Sequence, residues 1–416
     1  MRIHSNRRQF LSMMAASSAI SFPAFGSNQF DRKFLFICNE GGWDSFCTFT
    51  PVFDSAYVDL EEEAWDGRYG NIPVVEHPDR QTFSGFMSDF GERLCVINGI
   101  EARSITHQRC MQLMLTGSGG TFVDDWPAIL AGNARFSYPV PHVIFRGPGY
   151  ATKYGQSVIR IGENGQFTQL LRPLDLTPSI DTNSEIDSLE EQLLKKRIKR
   201  ALKEDSHSLL SSYKKNLNKL NVVDATVSSE HLEGAREGCV RDIRVDAANA
   251  FNLFASDFAR TAMISYRGVC DLTWDTHADH YTQIENQRDF YWYLSDIVKD
   301  LDSKVSIRGN PLSEEVVIVV FSEMGRAPKF NSFGGRDHWT FTSALVLGSG
   351  VRGNQSIGSL DEFGRGQAVV LDTGETHSSG QMILPQHLGA TLLALGNVNP
   401  TPHVGSGFAP ITAVLE

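Results

Sequence analysis

The densest group of potential metal ligands is the segment Thr273–His280, which places two acids and two histidines within six positions, 275 to 280. Its carboxylate oxygens and imidazole nitrogens form a donor set that suits zinc, manganese or iron. Because Asp275 and His277 alternate, an extended backbone directs both side chains to the same side. We therefore predict that Asp275, with His277 or His280, binds a divalent metal. The alternative is a loop of solvated polar groups.

A second candidate group ends a glycine-rich turn at residues 333–339, Phe-Gly-Gly-Arg-Asp-His-Trp. Gly334 and Gly335 allow the backbone to turn tightly, so that the adjacent side chains of Asp337 and His338 can reach one ion. We predict that both side chains are metal ligands.

Further polar side chains follow apolar runs that are typical of buried strands. Asp44 comes after the run 34–38 and a pair of glycines, which places it at the carboxyl end of a strand, where open α/β sheets build their sites. The run 316–321 leads in the same way to Glu323 and Arg326. The guanidinium of Arg326 is suited to holding an anionic oxygen, and the alternative is a structural ion pair of these two residues.

The elements that must position these side chains alternate along the chain. Short apolar runs bounded by turn residues predict buried parallel strands at residues 34–38, 94–98, 142–145, 316–321 and 344–347. Helical spacing predicts helices at residues 108–115, 247–265, 281–301 and 385–395. This alternation is the βαβ pattern of a doubly wound α/β sheet.

Composition limits the function classes. With 416 residues, 41% of them hydrophobic and 21% charged, the chain can form one large α/β domain with insertions or two domains. A net charge of -11 argues against a nucleic-acid-binding surface. Six cysteines include no C-x-x-C pair. Cys38, Cys95 and Cys270 lie beside apolar residues, which predicts small buried side chains.

The first residues have the features of an export signal. Arg7 and Arg8 are followed by Phe-Leu and by a mild apolar stretch that is too short to span a bilayer. The pattern resembles a twin-arginine signal over residues 1–26, which predicts a periplasmic or secreted protein whose main domain covers residues 30–416. The alternative is an amphipathic helix with a chance arginine pair. No other stretch reaches membrane-spanning length.

The region 184–238 differs from the rest of the chain and is predicted to be a helical insertion. Residues 184–220 are rich in Glu, Lys and Leu and include the basic run 195–200. This composition favours one or two exposed helices with an apolar stripe. Their basic surface is a possible site for a protein partner or an anionic substrate, and the alternative is a solvated helix face.

Several motifs occur in a serial order that resembles the alkaline phosphatase and sulfatase superfamily. They are Gly-Gly-Trp-Asp at 41–44 after a strand, Leu-Met-Leu-Thr-Gly at 113–117, Asp-Thr-His at 275–277, Ser-Glu-Met-Gly-Arg at 322–326 and Gly-Gly-Arg-Asp-His at 334–338. More closely, the chain resembles a poorly characterised family of twin-arginine-exported bacterial proteins within that superfamily. The resemblance covers residues 34 to about 415 and implies a three-layer α/β/α fold with a mostly parallel central sheet.

The resemblance also implies one or two divalent metal ions at the carboxyl edge of the sheet. One ion would be held by Asp44, Asp337 and His338. The other would be held by Asp275, by His277 or His280, and by a late histidine, for which His377 is the first candidate. Zinc is the expected metal, with manganese, iron or calcium as alternatives, and the substrate would be a small anionic ester.

At the position where superfamily members carry a hydroxyl or modified cysteine nucleophile, this chain has His107. His107 would be a metal ligand, a general acid or base, a phosphohistidine nucleophile, or a structural residue at the helix start. The neighbouring hydroxyl of Thr106 is a second candidate nucleophile. Arg109 and Arg326 are candidate anion clamps.

Two functional classes follow from these residues. The first is an exported metal-dependent hydrolase of phosphate or sulfate esters. The second, kept open by the missing hydroxyl, is a catalytically altered relative that acts in binding, assembly or secretion of a partner.

Overall fold

The structure is a computed structural model that describes residues 30–161 and 242–416. The predicted signal at 1–26 and the predicted insertion at 184–238 lie outside these residues. Within the described part of the chain, an eight-stranded sheet forms the centre of the fold.

The central sheet has the strand order β12-β4-β11-β8-β1-β7-β5-β6. Its strands are β1 Lys33–Asn39, β4 Leu94–Glu101, β5 His142–Ile144, β6 Val158–Arg160, β7 Thr261–Tyr266, β8 Val316–Phe321, β11 Phe341–Gly348 and β12 Gln355–Ile357. Two small antiparallel sheets pair β2 Trp65–Tyr69 with β3 Ile72–Glu76, and β9 Gly325–Arg326 with β10 His338–Trp339. In the central sheet every neighbouring pair is parallel except the two pairs that β11 makes.

Helices cover both faces of the sheet. They are α1 Gln81–Phe90, α2 His107–Thr116, α3 Trp126–Gly132, α4 Ile243–Ala255, α5 Tyr281–Ser303, α6 Pro385–Leu395 and α7 Thr401–Val404. The helix α5 contacts both α1 and α4, and α6 contacts α2, α3 and α7. Both α3 and α4 contact the central strand β7, each as part of a different group. The predicted three-layer α/β/α architecture with a mostly parallel sheet is therefore confirmed.

The strand β1 shows why these segments form buried strands. All seven of its residues are buried, because its side chains alternate between two covered faces. Leu35 and Ile37 belong to the apolar core that includes residues of α1, α4 and α5. On the other face, the thiol of Cys38 lies 3.7 Å from the sulfur of Met111 in α2. Among the described residues, no helix is both long and apolar enough to cross a membrane.

The structure corrects two expectations about the elements. The helix predicted over 247–265 ends at Ala255, and the following residues form β7, between β1 and β5. The chain leaves the helix at Asp257, whose φ of 54° is left-handed, and the next apolar run is buried on both faces of the sheet. The run 344–347 was expected to be parallel, but it belongs to β11, which is antiparallel to β4 and β8.

The predicted burial of cysteines is confirmed for Cys38 and Cys95, which are buried free thiols. It is wrong for Cys270, which is exposed and disulfide-bonded. Cys270 lies in the loop after β7, outside the sheet core.

A buried histidine at the start of β5 makes the stability of the fold depend on pH. Burial lowers the pKa of His142 to about 4, and its Nδ1 lies 2.8 Å from the hydroxyl oxygen of Thr261. Since the folded pKa lies below the unfolded value, this contribution to stability is present above pH ~6.5 and is lost as the pH falls toward 4.

We expect the free energy of unfolding to fall by about 2 kcal/mol through His142 between pH 7 and pH 5. Urea denaturation at both pH values, with a chelator present, measures the total change. In the His142→Asn variant the pH dependence should be shallower by that amount, whatever the variant costs at pH 7. An identical pH dependence in both proteins would contradict this role of His142.

Candidate metal centre

The carboxyl ends of four adjacent parallel strands, β8, β1, β7 and β5, meet at one edge of the sheet. A cleft of about 610 Å³ opens there. Its lining includes charged residues that follow these strands, joined by His107 from the start of α2: Glu40, His107, Arg146, Arg267, Asp275 and Glu323. The sheet therefore collects polar groups from distant parts of the sequence, as the strand-end argument predicts.

Three imidazole rings converge on the carboxylate of Asp275. The Oδ1 atom of Asp275 lies 3.1 Å from Nε2 of His277 and 3.1 Å from Nε2 of His338. Its Oδ2 atom lies 3.3 Å from Nε2 of His107. The Nε2 atoms of His277 and His338 are only 2.9 Å apart. Ligand atoms of His107, Asp275 and His338 thus all lie within 4.8 Å of one another, and His277 is close to Asp275 and His338.

The other ring nitrogen of each imidazole faces an oxygen acceptor. Nδ1 of His107 lies 2.7 Å from Oε1 of Glu323, and Nδ1 of His338 lies 2.7 Å from the carbonyl of Ile105. Nδ1 of His277 lies 3.2 Å from Oδ1 of Asp337. In the neutral tautomer with the hydrogen on Nδ1, each ring would donate to its outer acceptor and have its Nε2 free to bind a cation. This is the arrangement in which histidines bind metal, with the outer acceptor fixing the tautomer.

Asp275 is held in place by the buried guanidinium of Arg326. Arg326 donates to Oδ1 of Asp275 at 2.7 Å, to the carbonyl of Gly42 at 2.8 Å and to the carbonyl of Gly41. Gly41 has a φ of +122°, and a Cβ there would lie 2.7 Å from the amide nitrogen of Asp275. Only glycine permits this approach. Arg326 was predicted to be an anion clamp; in the structure it is fully buried and donates to protein oxygens.

The loop that presents Asp275 has an unusual backbone. Positive φ angles occur at three non-glycine residues, Cys270 (49°), Asp271 (65°) and Thr273 (75°). The side chain of Asn286 in α5 holds this loop, since it accepts from the amide of Val269 and donates to the carbonyl of Thr273, both at 2.8 Å. A strained loop that is fixed by its surroundings is typical of a functional site.

The carboxylates set the protonation of the site. Hydrogen bonds to Asp275 and Glu323 raise the pKa of His107 to about 9. Burial alone would raise the pKa of Asp275, but hydrogen bonds from His107 and Arg326 hold it well below its usual range. Hydrogen bonds from Asn331 and His277 lower the pKa of Asp337. Without a bound cation, a proton on His107 therefore balances part of the negative charge.

The structure places Asp44 and His280 in a separate buried cluster. Oδ1 of Asp44 accepts from the amide of Phe46 at 2.9 Å, and Oδ2 lies 2.9 Å from Nε of Arg336. Nε2 of His280 lies 3.0 Å from Oε1 of Glu61. The expected grouping of Asp44 with Asp337 and His338 is therefore not formed, because Arg336 has taken the Asp44 carboxylate.

Glu61 completes this cluster with a second arginine. Burial alone would raise the pKa of Glu61, but the hydrogen bond with His280 and the charge of Arg80 lower it to about 2. Arg80 is fully buried and donates to both carboxylate oxygens of Glu61.

Three other candidates lie at the surface. His377 is exposed and its Nδ1 lies 2.7 Å from the hydroxyl oxygen of Ser379; the described contacts do not join it to the Asp275 cluster. Arg109 is exposed and donates to the carbonyl of Gly119 at 2.8 Å, so it does not line the cleft. Thr106 precedes α2 as its N-cap residue and makes no side-chain capping hydrogen bond.

Two cationic residues of the cleft were missed in the sequence. Arg146 follows β5 and donates to both carboxylate oxygens of Asp271, at 2.8 and 3.0 Å. Arg267 follows β7, and its side chain is 52% exposed, with Nε 3.8 Å from Oε2 of Glu40. Each is an arginine followed by glycine within two residues of a strand end, a signal that is hidden for Arg267 because the run 247–265 predicts a helix.

Comparisons with solved structures give similarities at low sequence identity. The lipoteichoic acid synthase LtaP from Listeria monocytogenes is 9% identical, with 98% of this chain and 82% of that chain covered and a TM-score of 0.40. A protein in the alkaline phosphatase superfamily from Vibrio parahaemolyticus is 10% identical, with coverage of 97% and 78% and a TM-score of 0.35. The soluble domain of lipooligosaccharide phosphoethanolamine transferase A from Neisseria meningitidis is 10% identical, with coverage of 94% and 95% and a TM-score of 0.36.

No curated protein matches the chain. Solved structures of a protein in the alkaline phosphatase superfamily and of a putative sulfatase are among those to which the chain is similar. Residues 173–376 match the family described as "Protein of unknown function (DUF1501)".

Proposed function

We propose that this protein is an exported, metal-dependent hydrolase of phosphate or sulfate esters. The observation that carries the proposal is the convergence of the Nε2 atoms of His107, His277 and His338 on the carboxylate of Asp275. Zinc is the expected cation, and manganese, iron or calcium are alternatives.

The ligand atoms fit one divalent cation. Nitrogen and oxygen ligands lie about 2.0–2.2 Å from zinc, so two ligands of a tetrahedral ion are roughly 3.3 Å apart. The separations of Nε2 atoms from the Asp275 oxygens are 3.1, 3.1 and 3.3 Å. Two imidazole nitrogens at 2.9 Å can share at most one hydrogen, and a cation between them removes the repulsion of their lone pairs.

The charges around the cleft favour an anionic substrate. A divalent cation at Asp275 would act as a Lewis acid toward a phosphoryl or sulfuryl oxygen. Arg267, which also lines the cleft, offers exposed donors for the remaining oxygens of the ester, and Arg146 adds a second positive charge to the lining. Met111 and Pro148 supply apolar contacts for the leaving group.

The residues at the start of α2 have distinct roles in this proposal. The hydrogen bond with Glu323 fixes the ring of His107 and directs its Nε2 toward the other ligands, so His107 acts as a ligand. The adjacent Thr106 hydroxyl, next to the carbonyl of Ile105 that accepts from His338, is the candidate nucleophile. The second class, a binding or assembly protein, is favoured by the imidazole that stands where superfamily members carry a nucleophile.

Export is part of the proposal. The adjacent arginines at positions 7 and 8 are typical of the twin-arginine route, which carries folded proteins out of the cytoplasm. The disulfide at Cys270 supports a periplasmic or secreted location, because disulfides persist in oxidising compartments.

We expect purified protein to contain about one equivalent of divalent metal per chain, measured by elemental analysis. Asp275→Asn should remove it, because the variant weakens the ligand that all three imidazoles approach. Asp279→Asn is the matched control, since Asp279 is exposed in the same segment and only accepts from residues at the start of α5. An unchanged metal content in Asp275→Asn would contradict the proposed metal site.

We expect the metal-loaded protein to hydrolyse at least one of aryl phosphate, aryl phosphodiester and aryl sulfate. Arg267→Ala should raise KM about tenfold with a smaller change in kcat, since it removes a charge-assisted contact with the substrate anion. Arg93→Ala, at the opposite edge of the sheet before β4, should behave as wild type. Bound metal without turnover on any ester would instead favour the binding or assembly protein.

A further inference from the structure

We propose that Arg336 is a built-in cation that takes the place of a second metal ion and positions the two loops that carry the metal ligands. The inference rests on the proposed single-metal centre at Asp275. It concerns the separate buried cluster of Asp44, Cys47, Glu61, Arg80, His280 and Arg336.

This cluster has the donor atoms of a metal site. Ligand atoms of Asp44, Cys47 and His280 all lie within 4.8 Å of one another, and all three residues are buried. The thiol of Cys47 lies 3.4 Å from Nε2 of His280. Nδ1 of His280 has no hydrogen-bond partner and lies 3.8 Å from Oδ2 of Asp44. On ligand type alone, a second cation would be expected here.

The charges of the cluster exclude that cation. Asp44 and Glu61 contribute two negative charges, and the guanidinium groups of Arg80 and Arg336 contribute two positive charges. Even with Cys47 bound as a thiolate, a divalent ion would leave one positive charge uncompensated in a buried site, and burying an unpaired charge is strongly unfavourable. Nε of Arg336 already lies 2.9 Å from Oδ2 of Asp44, where a metal would bind.

Arg336 is held on all sides. It is fully buried, donates from Nη1 to the carbonyl of Ala327 at 2.8 Å and from Nη2 to the carbonyl of Asp59. The ring of Phe330 lies 4.3 Å from its guanidinium carbon. These contacts fix both the side chain and the backbone from which Asp337 and His338 project.

The backbone around Arg336 is joined to the loop that carries Asp275 and His277. The amide of Arg336 donates to the carbonyl of Thr276 at 3.2 Å, and the amide of His280 donates to the carbonyl of Gly334 at 3.1 Å. A Cβ on Gly335 would lie 2.4 Å from backbone atoms of His277, so the two loops are in direct contact. The carbonyl of Arg336 also accepts from Arg326, which holds Asp275.

Arg336 therefore acts on the metal centre without touching the ligand volume. Its removal would leave Asp44 as an unpaired buried charge and free the 334–338 loop to move relative to 275–280. Metal affinity should then fall although every ligand remains. Loss of such outer contacts weakens metal binding about 10- to 100-fold.

The test compares zinc binding and the visible absorption of the cobalt-substituted protein in wild type, Arg336→Met and Arg336→Lys. We expect one equivalent of metal in wild type, binding at least tenfold weaker with a changed cobalt spectrum in folded Arg336→Met, and a smaller loss in Arg336→Lys. Arg260→Met is the matched control. Arg260 is also fully buried, but it binds the carbonyls of Leu130 and Gly396, so its variant should lose stability and keep the wild-type affinity and spectrum.

The outcomes separate this inference from the proposed function. Two equivalents of metal in wild type, or wild-type affinity and spectrum in either folded Arg336 variant, would overturn the role of Arg336 and leave the metal centre standing. An absence of bound metal in wild type would overturn the proposed function itself. Should Arg336→Met fail to fold, the wild-type stoichiometry and Arg336→Lys still decide the question.

Discussion

The ion pair between Asp275 and the buried guanidinium of Arg326 is the interaction on which the carboxyl edge of the sheet depends. Arg326 joins the loop after β1, through the carbonyls of Gly41 and Gly42, to the loop after β7, through Asp275. A buried arginine is tolerated only where acceptors surround its donors. Its position fixes the carboxylate toward which all three imidazoles turn, and its charge keeps that carboxylate ionised.

The edge of the sheet contains two charge clusters that differ in how their negative charge is balanced. At Asp275 the imidazole nitrogens converge on the carboxylate, so its negative charge can be balanced by protons on the rings or by an exchangeable ion. In the Asp44 cluster the balance comes from Arg80 and Arg336, which are covalently part of the chain. An exchangeable cation in the cleft can take part in a reaction, whereas a buried arginine stabilises the loops that surround the cleft. This contrast explains why similar residue types produce two different environments.

Residue types and strand ends predicted much of this arrangement. Apolar runs and a glycine-rich turn, each followed by acids and histidines, predicted that Asp275, His277 and His338 are metal ligands at the carboxyl edge, but the expected ligand sets divided them between two ions. Arg267 was not predicted because residues 247–265 are rich in apolar side chains, a composition that a buried strand and a buried helix share. The pairing of Asp44 with Arg336 was not predicted either. Arg336 stands beside Asp337 in the sequence, but its side chain lies in the Asp44 cluster.

The sequence by itself determined the fold class and the set of side chains available for metal chemistry, because both follow from local patterns of apolar, glycine, acidic and histidine residues. The tertiary structure decided which of them meet. His107 joins Asp275 across more than 160 positions, Asp44 pairs with Arg336, and His377 stays at the surface. Which side chains meet depends on the strand order, on the close backbone approach at Gly41 and Gly335, and on the pairing of buried charges. These are properties of the packed chain, which no stretch of sequence contains alone.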